Sequence, residues 1–151
     1  MTILAPYDAS ELSASAVRRA AGFGEYRDET VVVLTVIPND PAFAQQRGWI
    51  DEGEGESYNP DAIEQRFQSE LAAIAPTATV RTERPAEPAA RGATTRNDVA
   101  RTIRDVAADI DASILFIGSE NAARVSAPAE SVGTPIAGDA DYDVHIVRTT
   151  D

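Results

Sequence analysis

Ser113-Ile-Leu-Phe-Ile-Gly-Ser-Glu-Asn121 is a continuous apolar run that stops at a Gly-Ser pair with polar residues behind it. A strand covered on both faces reads this way, because helices flanking a parallel sheet leave neither face to water. Loops at the carboxyl ends of such strands carry ligands in open α/β sheets. Thr2-Ile-Leu-Ala-Pro-Tyr-Asp8 repeats the pattern near the start of the chain and breaks on Asp8. Two such strand ends, one bearing a carboxylate and one a glycine, point to a crevice of nucleotide size.

Working outward, Asp8-Ala-Ser-Glu11 reads as a capping box, with Leu12, Ala16, Ala20 and Phe23 at helical spacing behind it and Gly22 and Gly24 ending the helix. Thr30 to Ile37 is a β-branched run closed by Pro38, which marks a second buried strand. From Pro38 to Pro60 the chain is polar and acidic, interrupted by Trp49 and Ile50. The loop from Asn39 to Tyr58 is expected to be a solvated insertion with Trp49 tucked onto the surface, or a lid. Asn59-Pro60 starts a helix with Ile63, Phe67, Leu71 and Ile74 on one face. Alternation over Ala78 to Arg84 places a half-exposed strand at a sheet edge. Thr95 and Asp98 form a second capping-box candidate ahead of Val99, Ile103, Val106 and Ile110. Val144-His-Ile-Val-Arg148 is the last strand. Strands and helices that alternate in this order build a doubly wound parallel α/β sheet, because crossovers are right-handed. A length of 151 residues suits one domain, 1–151.

Composition removes whole classes of chemistry. There is no cysteine and a single histidine, His145, so thiolate chemistry and multi-imidazole zinc sites are excluded. All thirteen basic residues are arginine, which removes Schiff-base chemistry and the phosphate-loop lysine. A net charge of −12, spread along the chain, argues against nucleic acid and anionic membranes as partners. Spread acidity without lysine is similar to the composition of salt-accumulating halophiles, where ionic strength screens self-repulsion. No basic segment followed by an apolar one opens the sequence, and no apolar run has spanning length, so a soluble cytoplasmic protein is expected.

Pro6-Tyr-Asp8-Ala-Ser-Glu-Leu-Ser13, Val33-Leu-Thr-Val-Ile37, the helix into Ile114-Leu-Phe-Ile-Gly-Ser119 and the closing Val144 to Arg148 together resemble the universal stress protein family over essentially the whole chain. The resemblance implies a five-stranded sheet of order 3-2-1-4-5, with the adenine nucleotide alpha-hydrolase-like fold, and brings Asp8 and Gly118 to one crevice at the topological switch point. It also implies that Pro6, Asp8 and Val36 frame the adenosine side of a ligand. The phosphates would lie on a loop of pattern Gly-x-x-Gly-x9-Gly-Ser/Thr, matched here by Gly118, Ser119, Asn121, Ser131 and Val132. Glycines let the backbone approach phosphate oxygens, and helix-end amides supply positive potential.

This chain keeps only the first glycine. Asn121 stands at the second position; at the third, Glu130-Ser131-Val132 takes the place of Gly-Ser-Val when matched by downstream context, with one residue fewer in the loop, and Ser131-Val132 when matched by strict spacing, so the glycine is gone either way. A glutamate beside a polyphosphate repels it, with Arg124 offsetting part of that charge. A late, short helix at Thr134-Pro135 would also miss the phosphates. The reading is therefore a non-catalytic regulatory or stress-response protein with a degenerate adenine-nucleotide site, taking AMP or an adenosine-type ligand more readily than ATP. A competent ATP/AMP sensor of the same family is the alternative. An adenylating α/β enzyme is the third, weakened by the missing Ser-Gly-Gly loop. The family resemblance further implies a homodimer through Val144, His145, Ile146, Val147 and Arg148, with His145 a packed or interface residue. Asp139, Asp141 and Asp143 read as a solvated acidic turn, since the rest of a calcium loop is missing.

Overall fold

A computed structural model describes residues 1–85, 95–120 and 142–150. Strand β1 (Thr2–Pro6) is followed by helix α1 (Glu11–Arg27), β2 (Thr30–Val36), a short helix α2 (Pro41–Gln46), a 3-10 turn at Gly55–Ser57, and helix α3 (Pro60–Ile74). Strand β3 (Thr79–Glu83), helix α4 (Thr95–Asp109), β4 (Ala112–Gly118) and β5 (Asp143–Val147) complete the described chain. All strands pair in parallel, in the order β3-β2-β1-β4-β5. The chain reverses its winding direction between β1 and β4, so these neighbours open a crevice at their carboxyl ends.

Strand parity divides the core into two layers. Ile3, Ala5, Val31, Val33 and Phe116 face α1 and α3, whereas Leu4, Val32, Leu34, Val36, Leu115 and Ile117 face α4. Both sets are buried, which is why β2 and β4 read as continuous apolar runs rather than alternating ones. The edge strand β3 is exposed at Thr79 and half-buried from Val80 to Glu83, as expected for a sheet edge.

Several local expectations change. The cap of α1 is Ser10, whose side chain accepts from the Ser13 amide, so Asp8 is not the capping residue. The helix continues past both glycines to Arg27 and closes on Asp28 in the left-handed region. Gly24 is needed for a different reason: a Cβ there would run into Cγ2 of Val31 and lie 3.0 Å from the Glu29 carbonyl. Its absent side chain lets α1 lie close against the sheet. Thr95 is already helical, and its hydroxyl donates to Asp40 at 2.6 Å instead of forming a capping box with Asp98. Asn59 does cap α3 ahead of Pro60, through its side chain and the Asp61 amide. Strand β5 begins one residue earlier than read, at Asp143, while Asp139 and Asp141 lie outside the described residues.

The largest correction concerns Asn39 to Tyr58. This stretch carries α2, and Trp49 is buried at 5% exposure instead of lying on the surface, while Asp51 to Glu54, Glu56 and Ser57 are exposed to solvent. The Trp49 ring meets Phe43 at 5.5 Å and Phe67 at 5.2 Å, both edge-on, a geometry favoured by the ring quadrupole. Burial of a large indole outweighs the polarity of its neighbours in sequence.

Candidate functional site

Beyond β1, the Tyr7 amide still donates to the Leu34 carbonyl, extending the ladder by one residue before the chain turns. Ala9 then takes φ 68, a left-handed conformation that costs a non-glycine residue roughly 1 kcal/mol. The turn is held by the Ser10 amide donating to Asp8 Oδ1 at 3.0 Å and the Asp8 amide donating to Ser13 Oγ at 3.2 Å. Asp8 is thereby fixed with its second oxygen, Oδ2, turned to Arg47, whose Nη1 donates to it at 2.8 Å.

Arg47 caps the carboxyl end of α2 and lies over the Phe43 ring, 5.0 Å from its centroid. Both members of the Asp8–Arg47 pair keep about a fifth of their side chains exposed (20% and 19%), so the pair is partly shielded from solvent screening. The segment from Pro38 to Ile50 forms a strap tied down on both sides. Trp49 Nε1 donates to the Asp8 carbonyl at 2.9 Å, and Asp40 both caps α2 and accepts from Thr95 at the start of α4. Beneath it, Tyr7 donates to Glu70 at 2.6 Å, while Arg66 reaches Glu70 at 3.1 Å and the Trp49 carbonyl at 3.4 Å. Burial, then the bond to Glu70, raise the Tyr7 phenol well above its ordinary pKa.

Between this strap and the ends of β1, β2 and β4 lies a crevice. Leu34, Val36 and Ile117 form its floor, Ile103 of α4 one wall, and Asp8, Ser10, Ser13 and Arg47 its polar side. Its empty space is about 690 Å³ with the open mouth included. Its lining is mainly apolar with a few polar groups, which suits an apolar group that carries hydrogen-bonding atoms. Gly118 stands where a Cβ would be 3.1 Å from Cβ of Leu12, so a side chain there would press on α1.

Of the residues singled out in the sequence, Pro6, Asp8, Val36 and Gly118 line this one crevice. Ser119 follows directly and is not in the lining; it and Glu120 have helical backbone where a loop was expected. Asn121, Ser131 and Val132 lie outside the described residues, as do Arg124, Glu130 and Thr134-Pro135. Sequence reading missed Arg47, Trp49 and Glu120. The signal was present for Trp49, the single tryptophan, set in an acidic stretch with Phe43 close before it. Arg47 had none, because its partner is 39 positions away. His145 is exposed on the edge strand β5 and stacks on Phe116 at 4.6 Å. Among the described residues no cluster of acidic or histidine side chains has metal-site geometry, and no helix is long and apolar enough to cross a membrane.

Sequence comparison agrees with this architecture: the universal stress protein family model matches residues 1–148. The chain belongs to the universal stress protein family. Its sheet order and flanking helices are those of the family's adenine nucleotide alpha-hydrolase-like fold. A universal stress protein solved in complex with cAMP is 19% identical, with a TM-score of 0.56 over 99% of this chain and 97% of that one. A universal stress protein from Archaeoglobus fulgidus is 22% identical, with a TM-score of 0.54 over 98% of each chain. The universal stress protein from Archaeoglobus fulgidus in complex with dAMP is 19% identical, again with a TM-score of 0.54 and 98% coverage of each chain. At these identities the likeness concerns the fold. A comparison with curated protein sequences returns no match.

Proposed function

We propose that this universal stress protein is a regulatory, non-catalytic, single-domain protein whose switch-point crevice takes an adenosine-type ligand with one phosphate or none, and that ATP is disfavoured. The observation that carries the reading is that Asp8 and Gly118 line one crevice together with the apolar Leu34, Val36 and Ile117. A flat base suits the floor, and the Asp8 carboxylate can accept from ribose hydroxyls at the mouth. The ligands named for two fold neighbours, cAMP and dAMP, belong to the same chemical class.

Disfavour toward ATP rests on the sequence of the phosphate loop, where only the first glycine remains and Glu130 adds an opposing charge. A regulatory role fits a site whose carboxylate is already engaged by the Ser10 amide and Arg47. The edge strand β5 would pair with its copy in a homodimer, through Val144 to Arg148, because it pairs with β4 alone among the described strands. An acidic, lysine-free chain of this kind belongs in a concentrated salt solution such as a halophile's cytoplasm.

Calorimetry at high salt with adenosine, AMP and ATP tests the reading. Saturable heats with AMP or adenosine, and weaker or absent binding of ATP, are expected. ATP bound more tightly than AMP favours the competent triphosphate sensor instead.

A further inference from the structure

Glu120, Asp8 and Arg47 are the charged residues that line the crevice among those described, so Arg47 is its sole cation there. It comes from the strap, outside the glycine-loop pattern by which the sequence would locate a phosphate site. We propose that Arg47 is the specificity-determining residue of the crevice: its guanidinium receives a single phosphate, so the site selects a mononucleotide over both the neutral nucleoside and the triphosphate. This rests on the crevice being the adenosine site.

Three observations support it. First, Arg47 is already oriented. Its 2.8 Å bond to Asp8, the Phe43 ring under its guanidinium, and the anchoring of α2 through Asp40 and Trp49 fix the side chain before any ligand arrives. A cation held in place loses less rotamer entropy on binding than a mobile one. Second, the guanidinium is a planar fork of several N–H donors, so it can bridge the Asp8 carboxylate and a phosphate together, whereas an ammonium presents a point charge. Third, the charge balance limits the ligand. Without Arg47 the charged residues described at the crevice would be Asp8 and Glu120, both of which repel a phosphate, in a chain of net charge −12. One cation answers one phosphate; two further phosphates add repulsion that no other described lining residue offsets.

The test compares wild type, Arg47→Gln and Arg47→Lys by calorimetry with AMP, adenosine and ATP, with circular dichroism confirming that each variant is folded. Wild type should prefer AMP to adenosine, and Arg47→Gln should lose AMP affinity by about tenfold or more while adenosine affinity stays within about twofold. Arg47→Lys should recover part of the AMP preference, and wild-type AMP binding should weaken with salt more than adenosine binding does. A merely structural arginine would lower both affinities together and leave their ratio unchanged, which overturns the assignment. So does AMP binding by Arg47→Gln as tight as, or tighter than, wild type, which would make Arg47 a plug on Asp8. In either case measurable wild-type binding leaves the adenosine site standing. A wild type that binds neither AMP nor adenosine overturns the site and the assignment together.

Discussion

Replacing Trp49 by alanine separates a packed strap from a solvated insertion. The indole is 5% exposed, touches Phe43 and Phe67 edge-on, and donates from Nε1 to the Asp8 carbonyl. Truncating a buried tryptophan costs about 3–5 kcal/mol, from lost apolar burial and the cavity left behind. The lost hydrogen bond leaves the Asp8 carbonyl without its indole partner, a further loss of about 1 kcal/mol that falls within the uncertainty of the first figure. Total stabilities of domains lie near 5–15 kcal/mol, so the variant should unfold at markedly lower denaturant concentration. For a chain of this size the midpoint of thermal unfolding should fall by about 6–20 °C. Far-UV circular dichroism is the assay, since the variant has no tryptophan to report by fluorescence. Trp49→Phe keeps much of the ring and deletes only the donor, so it should cost about 1–2 kcal/mol. A change within about 0.5 kcal/mol for Trp49→Ala, the usual range of surface substitutions, would refute the strap.

Gly24→Ala should destabilise by about 1–2 kcal/mol in urea unfolding, although alanine favours helices by about 1 kcal/mol, because its Cβ meets Val31 and the Glu29 carbonyl; the same change at Gly22, which faces open space, should stabilise. Tyr7→Phe should flatten the loss of stability at alkaline pH. The native phenol is shifted upward from 10.0, so above that value the unfolded chain releases its proton while the folded one holds it, and the Tyr7 contribution is full below pH 10.0 and declines as pH rises. Raising salt from about 0.1 M to about 1 M should increase the unfolding temperature, because screening relieves the repulsion of 25 acidic against 13 basic residues; an unchanged temperature would refute the salt-adapted reading.

What the sequence disclosed follows from the range of the interactions involved. Strands β2 and β4 were legible because burial on both faces leaves an unbroken apolar run, and α3 because Asn59-Pro60 is a local start signal. Asp8 and Gly118 were legible as strand ends, and both line the crevice. The cap of α1 was misassigned by two residues: Ser10 and Asp8 are both good capping residues, and Ala9 at φ 68 decides between them. Gly24 looked like a terminator because its close contact with Val31 is tertiary. The strap stayed hidden for the same reason: Trp49, Arg47 and Asp40 find their partners at Asp8 and Thr95, tens of positions away. Polarity along the chain described its outer surface, while Trp49 with Phe43 close before it was the local trace of the aromatic residues beneath.

The proposed adenosine site is the slot lined by Asp8 and Gly118. A crystal structure of the protein grown at high salt with AMP tests it most directly. The base should lie on Leu34, Val36 and Ile117, the ribose hydroxyls against Asp8, and the phosphate beside Arg47. AMP bound elsewhere on the molecule, with this slot empty, would contradict the assignment.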